Sequence, residues 1–150
     1  MEEHPKMRQL MTDFAEKLRA AKIPFKQQET ERGDVIVIPC PMKPTETTVM
    51  GCILTTEKYD IAFRVNQFVH IPVEKRAAGL EMMNTLNSKY RHVRFVLDDD
   101  NDVHLCMDMP AETRDAADTA MEYFARGIKI MKDCYPDLMK MVWSGNGGNN

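Results

Sequence analysis

The sequence predicts an α+β domain: an N-terminal helix, an antiparallel sheet, a middle helix, a β-hairpin and a C-terminal helix. Three observations predict it. Apolar residues recur at three- and four-residue spacing in three separated stretches. Between those stretches, apolar and polar residues alternate or run β-branched. The links between the alternating segments are short hairpin turns, which excludes a parallel sheet with crossover helices.

Met7, Leu10, Met11, Phe14 and Leu18 give the first helix its apolar stripe, and Pro24 stops it close to Lys22. Residues 25–30 suit a short edge strand, with a turn at Glu31-Arg32-Gly33-Asp34. Val35-Ile36-Val37-Ile38 is a β-branched run that suits a second strand. Pro39, Pro41 and Pro44 break that pattern, and a third strand covers about 47–56, with Gly51 as a bulge candidate. A turn at 57–60 leads to a fourth strand, in which Ile61, Phe63 and Val65 alternate with Ala62, Arg64 and Asn66.

Pro72 opens the middle helix. Its apolar face is read as Ala77, Leu80, Met83 and Tyr90, widened by Ala78, Met82 and Leu86. Asn84 and Asn87 sit near its end, poor helix-interior residues that suit contacts with backbone or solvent. Val93, Phe95 and Leu97 then alternate in one hairpin strand, and Val103, Leu105 and Met107 in the other. A three-residue loop, Asp100-Asn101-Asp102, pairs Leu97 with Leu105 and Arg94 with Asp108 as an exposed ion pair. From about Glu112 the pattern is helical through Met121, Phe124, Ile128, Met131 and Tyr135. Pro136 is expected to kink or interrupt that helix before a last short piece. The Gly/Asn-rich residues 144–150 are expected to be a disordered tail, which leaves one domain over 1–143.

With 20 basic against 23 acidic residues, the net charge is −3, and no basic face marks a nucleic-acid or polybasic membrane partner. The polar N-terminus and the absence of a long apolar run give neither a signal peptide nor a spanning segment. Cys40, Cys52, Cys106 and Cys134 include no CxxC pair, so they read as free thiols in a cytoplasmic protein. No P-loop, nucleophile elbow, zinc-protease or dinucleotide motif occurs, and no cofactor is expected.

Two constellations carry possible chemistry. The loop Asp98 to Asp102 is acidic, but an EF-hand requires Gly and Glu where Val103 and Met109 stand, so it reads as a solvated turn. His104, Cys106 and Asp108 share one face of a strand. That is the inventory of a thiol-enzyme or metal site. Side chains two residues apart on a strand are roughly 6.5–7 Å apart, too far for a direct Cys–His hydrogen bond. His70 reads as a surface residue at the entry to the middle helix.

The stretch FRVNQFVHIPVEKRAAGLEMMNTLNSKYRHVRFVLDDDNDVHLCMDM, residues 63–109, carries a resemblance. A strand leads into a helix ending in N-x-L-N, with Asn84 and Asn87, and then into a hairpin that starts F-x-L-D. This resembles the YbjN family, whose members resemble type III secretion chaperones in fold. The resemblance implies a helix–sheet–helix–hairpin–helix domain, often dimeric, without catalysis, and with no catalytic or cofactor residues to carry over. A departure is the fourth strand before the middle helix, where the chaperone core has three.

The expected function is therefore a non-enzymatic protein-interaction or regulatory domain of chaperone-like fold, with a protein or peptide partner and a homodimeric state. The 13 methionines suit an adaptable apolar surface. The candidate partner patch is Leu138, Met139, Val142 and Trp143, set against the plainer expectation that this segment folds back on its own core or completes a dimer. The alternatives are a metal-dependent or thiol enzyme using His104, Cys106 and Asp108, and a small-ligand sensor.

Overall fold

A computed structural model describes residues 5–31, 33–43, 46–56 and 58–144. Arg32, Pro44, Glu57 and the tail from Gly145 onward, to which turns, a strand break and disorder were assigned above, lie outside the described residues. Helix α1 spans Pro5–Ala20 and is followed by β1 (Lys26–Thr30), β2 (Gly33–Pro41), β3 (Thr48–Thr55) and β4 (Asp60–His70). A 3-10 turn at Val73–Lys75 leads into α2 (Arg76–Lys89). β5 (Arg94–Leu97), β6 (Asp102–Pro110) and α3 (Ala116–Trp143) complete the chain.

The α1 stripe is buried as its spacing predicts, and Ala15 joins it. Lys22 adopts a left-handed conformation, φ 58°. Ile23 N–H donates to Leu18 O and Lys22 N–H to Arg19 O, both at 3.0 Å. These two bonds are a Schellman motif, which satisfies the last carbonyls before Pro24 turns the chain away.

The six strands form one antiparallel sheet in the order β1-β2-β3-β4-β6-β5. Its covered face carries Ile36 and Ile38, Ile53, Ile61 and Phe63, and Leu105 and Met107 on successive strands, beneath the helices. Helix α2 buries Gly79, Met83 and Leu86. Leu80, assigned above to the buried face, is instead exposed. The buried line passes through Gly79 because the helix rides close: a Cβ there would lie 2.9 Å from Ile71 Cδ1 and 3.2 Å from Leu97 Cδ2.

Three further expectations are corrected. The hairpin pairs Leu97 with Val103 and Arg94 with Cys106. Its three-residue loop begins one position earlier than predicted, closed by Asp98 N–H to Asp102 O at 3.0 Å. Asn101 takes the left-handed conformation (φ 66°), as the third residue of such loops does. Asp98 Oδ1 accepts from Asp100 and Asp102 N–H, both at 2.9 Å, and holds the turn there.

The bulge, in turn, is not at Gly51, which pairs regularly with Ile38 and Val65. It is in β4, where residues 66–68 oppose the single residue His104. Finally, Pro136 does not interrupt α3, which runs unbroken past it. The buried stripe Met131, Cys134, Tyr135 and Leu138 continues across the proline, while Pro136 and Lys132, whose carbonyl loses its donor, are on the exposed side. Burial of that stripe offsets the missing bond.

Candidate functional site: the uncovered sheet face and the hairpin end

Strand alternation gives the sheet a second face, and among the described residues no element covers it. The cross-strand rows can be followed through the register. Val35, Leu54, Ala62 and Asp108 form one row; Val37, Cys52, Arg64, Cys106 and Arg94 form the next. Pro39 pairs with Met50, and Val96 with His104, at the flanks. The part on β2 and β3 is apolar and mostly half-buried by its own neighbours, while Met50 (45%) and Val96 (37%) are exposed. β2 reads apolar on both faces because both need apolar side chains. That pattern normally marks a strand covered on both sides.

Arg64 lies across the middle of this face. Its Nη1 donates to Phe63 O at 2.9 Å and Met107 O at 3.1 Å, and its Nη2 to Asp108 Oδ1 at 2.8 Å. Asp108 therefore pairs with Arg64 of β4, not with Arg94 of β5 as predicted from the hairpin. The reason is the register: Arg94 stands opposite Cys106.

His104, Cys106 and Asp108 do share this face, and the structure does not bring them together. His104 Nε2 lies 2.5 Å from Asp98 Oδ2, and His104 Nδ1 accepts from Gln67 N–H at 3.2 Å. Cys106 has arginines as its cross-strand neighbours on both sides. A nucleophile–base pair is thus absent from this set. No three His, Cys, Asp or Glu side chains among the described residues are placed to hold a metal ion. All four cysteines are free. Burial pushes the thiol of Cys40 up to about 11 and that of Cys134 to about 12, and raises Cys52 as well, all away from the thiolate that thiol chemistry requires.

The end of the sheet near the hairpin is a polar network. His70 Nδ1 meets Asp102 Oδ1 at 2.9 Å, and Gln67 Nε2 reaches Asp102 Oδ2 at 3.4 Å. Arg76 at the start of α2 donates through Nη1 to Asp98 O (2.7 Å) and Asn101 Oδ1 (2.8 Å). The Asp98 carboxyl is held below the usual carboxylate range, first by its hydrogen bond with His104 and then by the Asp102 backbone N–H. The loop read above as a solvated turn is thus anchored to both α2 and β4. Gln67 and Arg76 gave no sequence signal, since neither residue type marks a bulge or a turn.

At the outer edge of β5, the Asn87 side chain accepts from Phe95 N–H at 2.7 Å and donates to Phe95 O at 3.1 Å. It occupies the edge as a further strand would. The N-x-L-N pair flagged in the sequence contributes through this second asparagine. The other edge, β1, is short, polar and exposed throughout, which also discourages pairing.

The C-terminal patch separates into different environments. Leu138 is fully buried, so it belongs to the core and not to a surface; Met139 and Val142 are half-buried against that core; Trp143 alone is open, at 81%. Lys75 Nζ caps this end of α3, donating to Met141 O at 3.1 Å, Val142 O at 2.6 Å and also Ser144 O. A cation on the last carbonyls of a helix is favourably placed. Between α3 and the covered sheet face, a cleft lined by Cys40, Gly51, Phe63, Met107, Phe124 and Met131 has a cavity volume of about 40 Å³. That admits a few waters at most and is far below an ordinary ligand pocket.

These features define a small α+β domain with helices on one side of its sheet and, on the other, a face that no described element covers and that is apolar along β2 and β3. The chain belongs to the YbjN family: the model of that family, described as "Putative bacterial sensory transduction regulator", matches residues 13–139. A crystal structure of YbjN from E. coli, "a putative transcription regulator", is similar with a TM-score of 0.57 at 13% identity, covering 85% of this chain and 92% of that one. At that identity the likeness is one of fold. No curated protein matches the chain. Among the described residues, no helix is long and apolar enough to cross a membrane.

Proposed function

We propose that this protein is a non-enzymatic regulatory domain of chaperone-like fold that acts in the cytoplasm by binding a protein or peptide partner on its uncovered sheet face. The observation that carries this reading is the apolar part of that face on β2 and β3, Val35, Val37, Met50, Cys52 and Leu54, which no described element covers. Contiguous apolar surface of this kind marks interaction sites. The family description as a regulator supports it. So does the separation of His104, Cys106 and Asp108 onto unrelated partners. Self-association as a homodimer is part of the reading, while nucleic acid and membranes are not expected partners of a chain with net charge −3.

Two measurements test it. Polypeptides recovered from the native host by the tagged chain are compared with those recovered by a Val37→Ser, Met50→Ser variant. Loss of specific recovery with an unchanged melting temperature is expected, and equal recovery would remove the face from the interaction. Light scattering at micromolar concentration is expected to give twice the chain mass; the mass of one chain would remove self-association.

A further inference from the structure

The β4 bulge holds three residues, 66–68, against His104 alone, and its central residue Gln67 has φ 55°. A non-glycine residue there is strained and persists only where neighbours fix it. Two bonds to the hairpin do so: Gln67 N–H to His104 Nδ1 (3.2 Å) and Gln67 Nε2 to Asp102 Oδ2 (3.4 Å). A backbone N–H can only donate, so Nδ1 presents its lone pair. The ring proton is then on Nε2, 2.5 Å from the Asp98 carboxylate. The two contacts together select one neutral tautomer of His104.

We propose that His104 is a proton-operated latch on this bulge: a proton taken up at Nδ1 removes the acceptor of Gln67 N–H and frees residues 66–68, while Nε2 stays on Asp98. The proton comes from solvent and adds to the lone pair, and no other bond forms or breaks. The surroundings accept the charge. On its own strand and the hairpin, His104 has Asp98, Asp99, Asp100, Asp102 and, further along, Cys106 and Asp108. On β4 are Gln67, His70 and Arg64, the last already on Asp108; on β5, Arg94 lies diagonal to it beyond Val96; from α2, Arg76 is spent on Asp98 O and Asn101. The Asp98 carboxyl is held below its ordinary range by this same hydrogen bond, so it keeps its negative charge beside the ring. Release does not stay local, because Phe68, at the end of the bulge, is buried with its ring 5.5 Å from that of Tyr135 on α3. The latch is independent of the partner reading above.

Nuclear magnetic resonance of the full chain tests it between about pH 8 and pH 5, the range in which histidine changes charge. At the alkaline end the ¹⁵N shifts of His104 should show the Nε2–H tautomer. On acidification, Gln67 amide protection, corrected for intrinsic exchange, should fall about tenfold, the equivalent of one typical hydrogen bond, while Leu105 stays protected. A His104→Gln chain should lose this pH dependence, and a His70→Gln chain should keep it. An Nδ1–H tautomer, corrected protection that does not change with pH, or a pH response that survives in His104→Gln overturns the proposal. If His104→Gln does not fold, the tautomer and the exchange of the unaltered chain decide.

Discussion

On β3, Ile53 and Leu54 are adjacent in sequence and face opposite ways. Ile53 is 2% exposed beneath the helices, whereas Leu54 lies half-buried in a row of apolar neighbours that no described element covers. The same contrast repeats along β2, with Ile36 and Ile38 inside and Val35 and Val37 outside. Burial on the covered face stabilises the chain by itself. Side chains on the bare face are covered only by their own neighbours, so the hydrophobic gain of the area they still expose is available only to something that binds.

The largest expected effect sharpens this contrast directly. Ile53→Ala leaves a cavity in the covered core and should cost about 2–5 kcal/mol. Met50→Ser, three residues earlier on the bare face, should change stability by less than about 0.5 kcal/mol. Chemical denaturation of the two variants checks the pair, and comparable losses would show that both faces are core. Next in size is Asn87→Ala, which strips the Phe95 N–H and C=O of their partners and should cost about 1–3 kcal/mol. A neutral result would show that water replaces the side chain at this edge.

Gly51→Ala should have a smaller effect with the opposite sign. Its φ is not in the left-handed region, and an added Cβ meets only ordinary contacts, Ile38 O at 3.7 Å and Cys40 Sγ at 3.8 Å. A gain of about 0.4–1 kcal/mol follows from the restricted unfolded chain. A loss would show that the cleft under α3 has no room for a methyl group.

The helices, the six strands and their order were legible because apolar periodicity and proline positions mark them. What escaped was set by tertiary contacts. Pro136 reads as a break, yet the stripe from Met131 to Leu138 carries the helix through it. Leu80 fits a helical face that the close approach at Gly79 turns toward solvent. The hairpin register needed the left-handed Asn101 and the carboxylate of Asp98, and the Asp/Asn run 98–102 offers several residues able to take those roles. The bulge at Gln67 had no glycine or proline to announce it. For the site, the shared face of His104, Cys106 and Asp108 was readable from period two, but their partners Asp98, Gln67 and Arg64 depend on pairing across strands. The apolar character of both faces of Val35-Ile36-Val37-Ile38 was on view as a β-branched run. Which face lacks a cover is visible only once the helices are placed.

The chain has its own probes for that face, since Cys52 and Cys106 lie on it half-exposed while Cys40 and Cys134 are buried on the other side. Alkylation of the four thiols, read by mass spectrometry, compares the isolated chain with the complex recovered from its host. Labelling of Cys52 and Cys106 in the isolated chain and their protection in the complex, with Cys40 and Cys134 slow in both, is the predicted result. Equal labelling of Cys52 and Cys106 in the two samples would contradict a partner on the uncovered face.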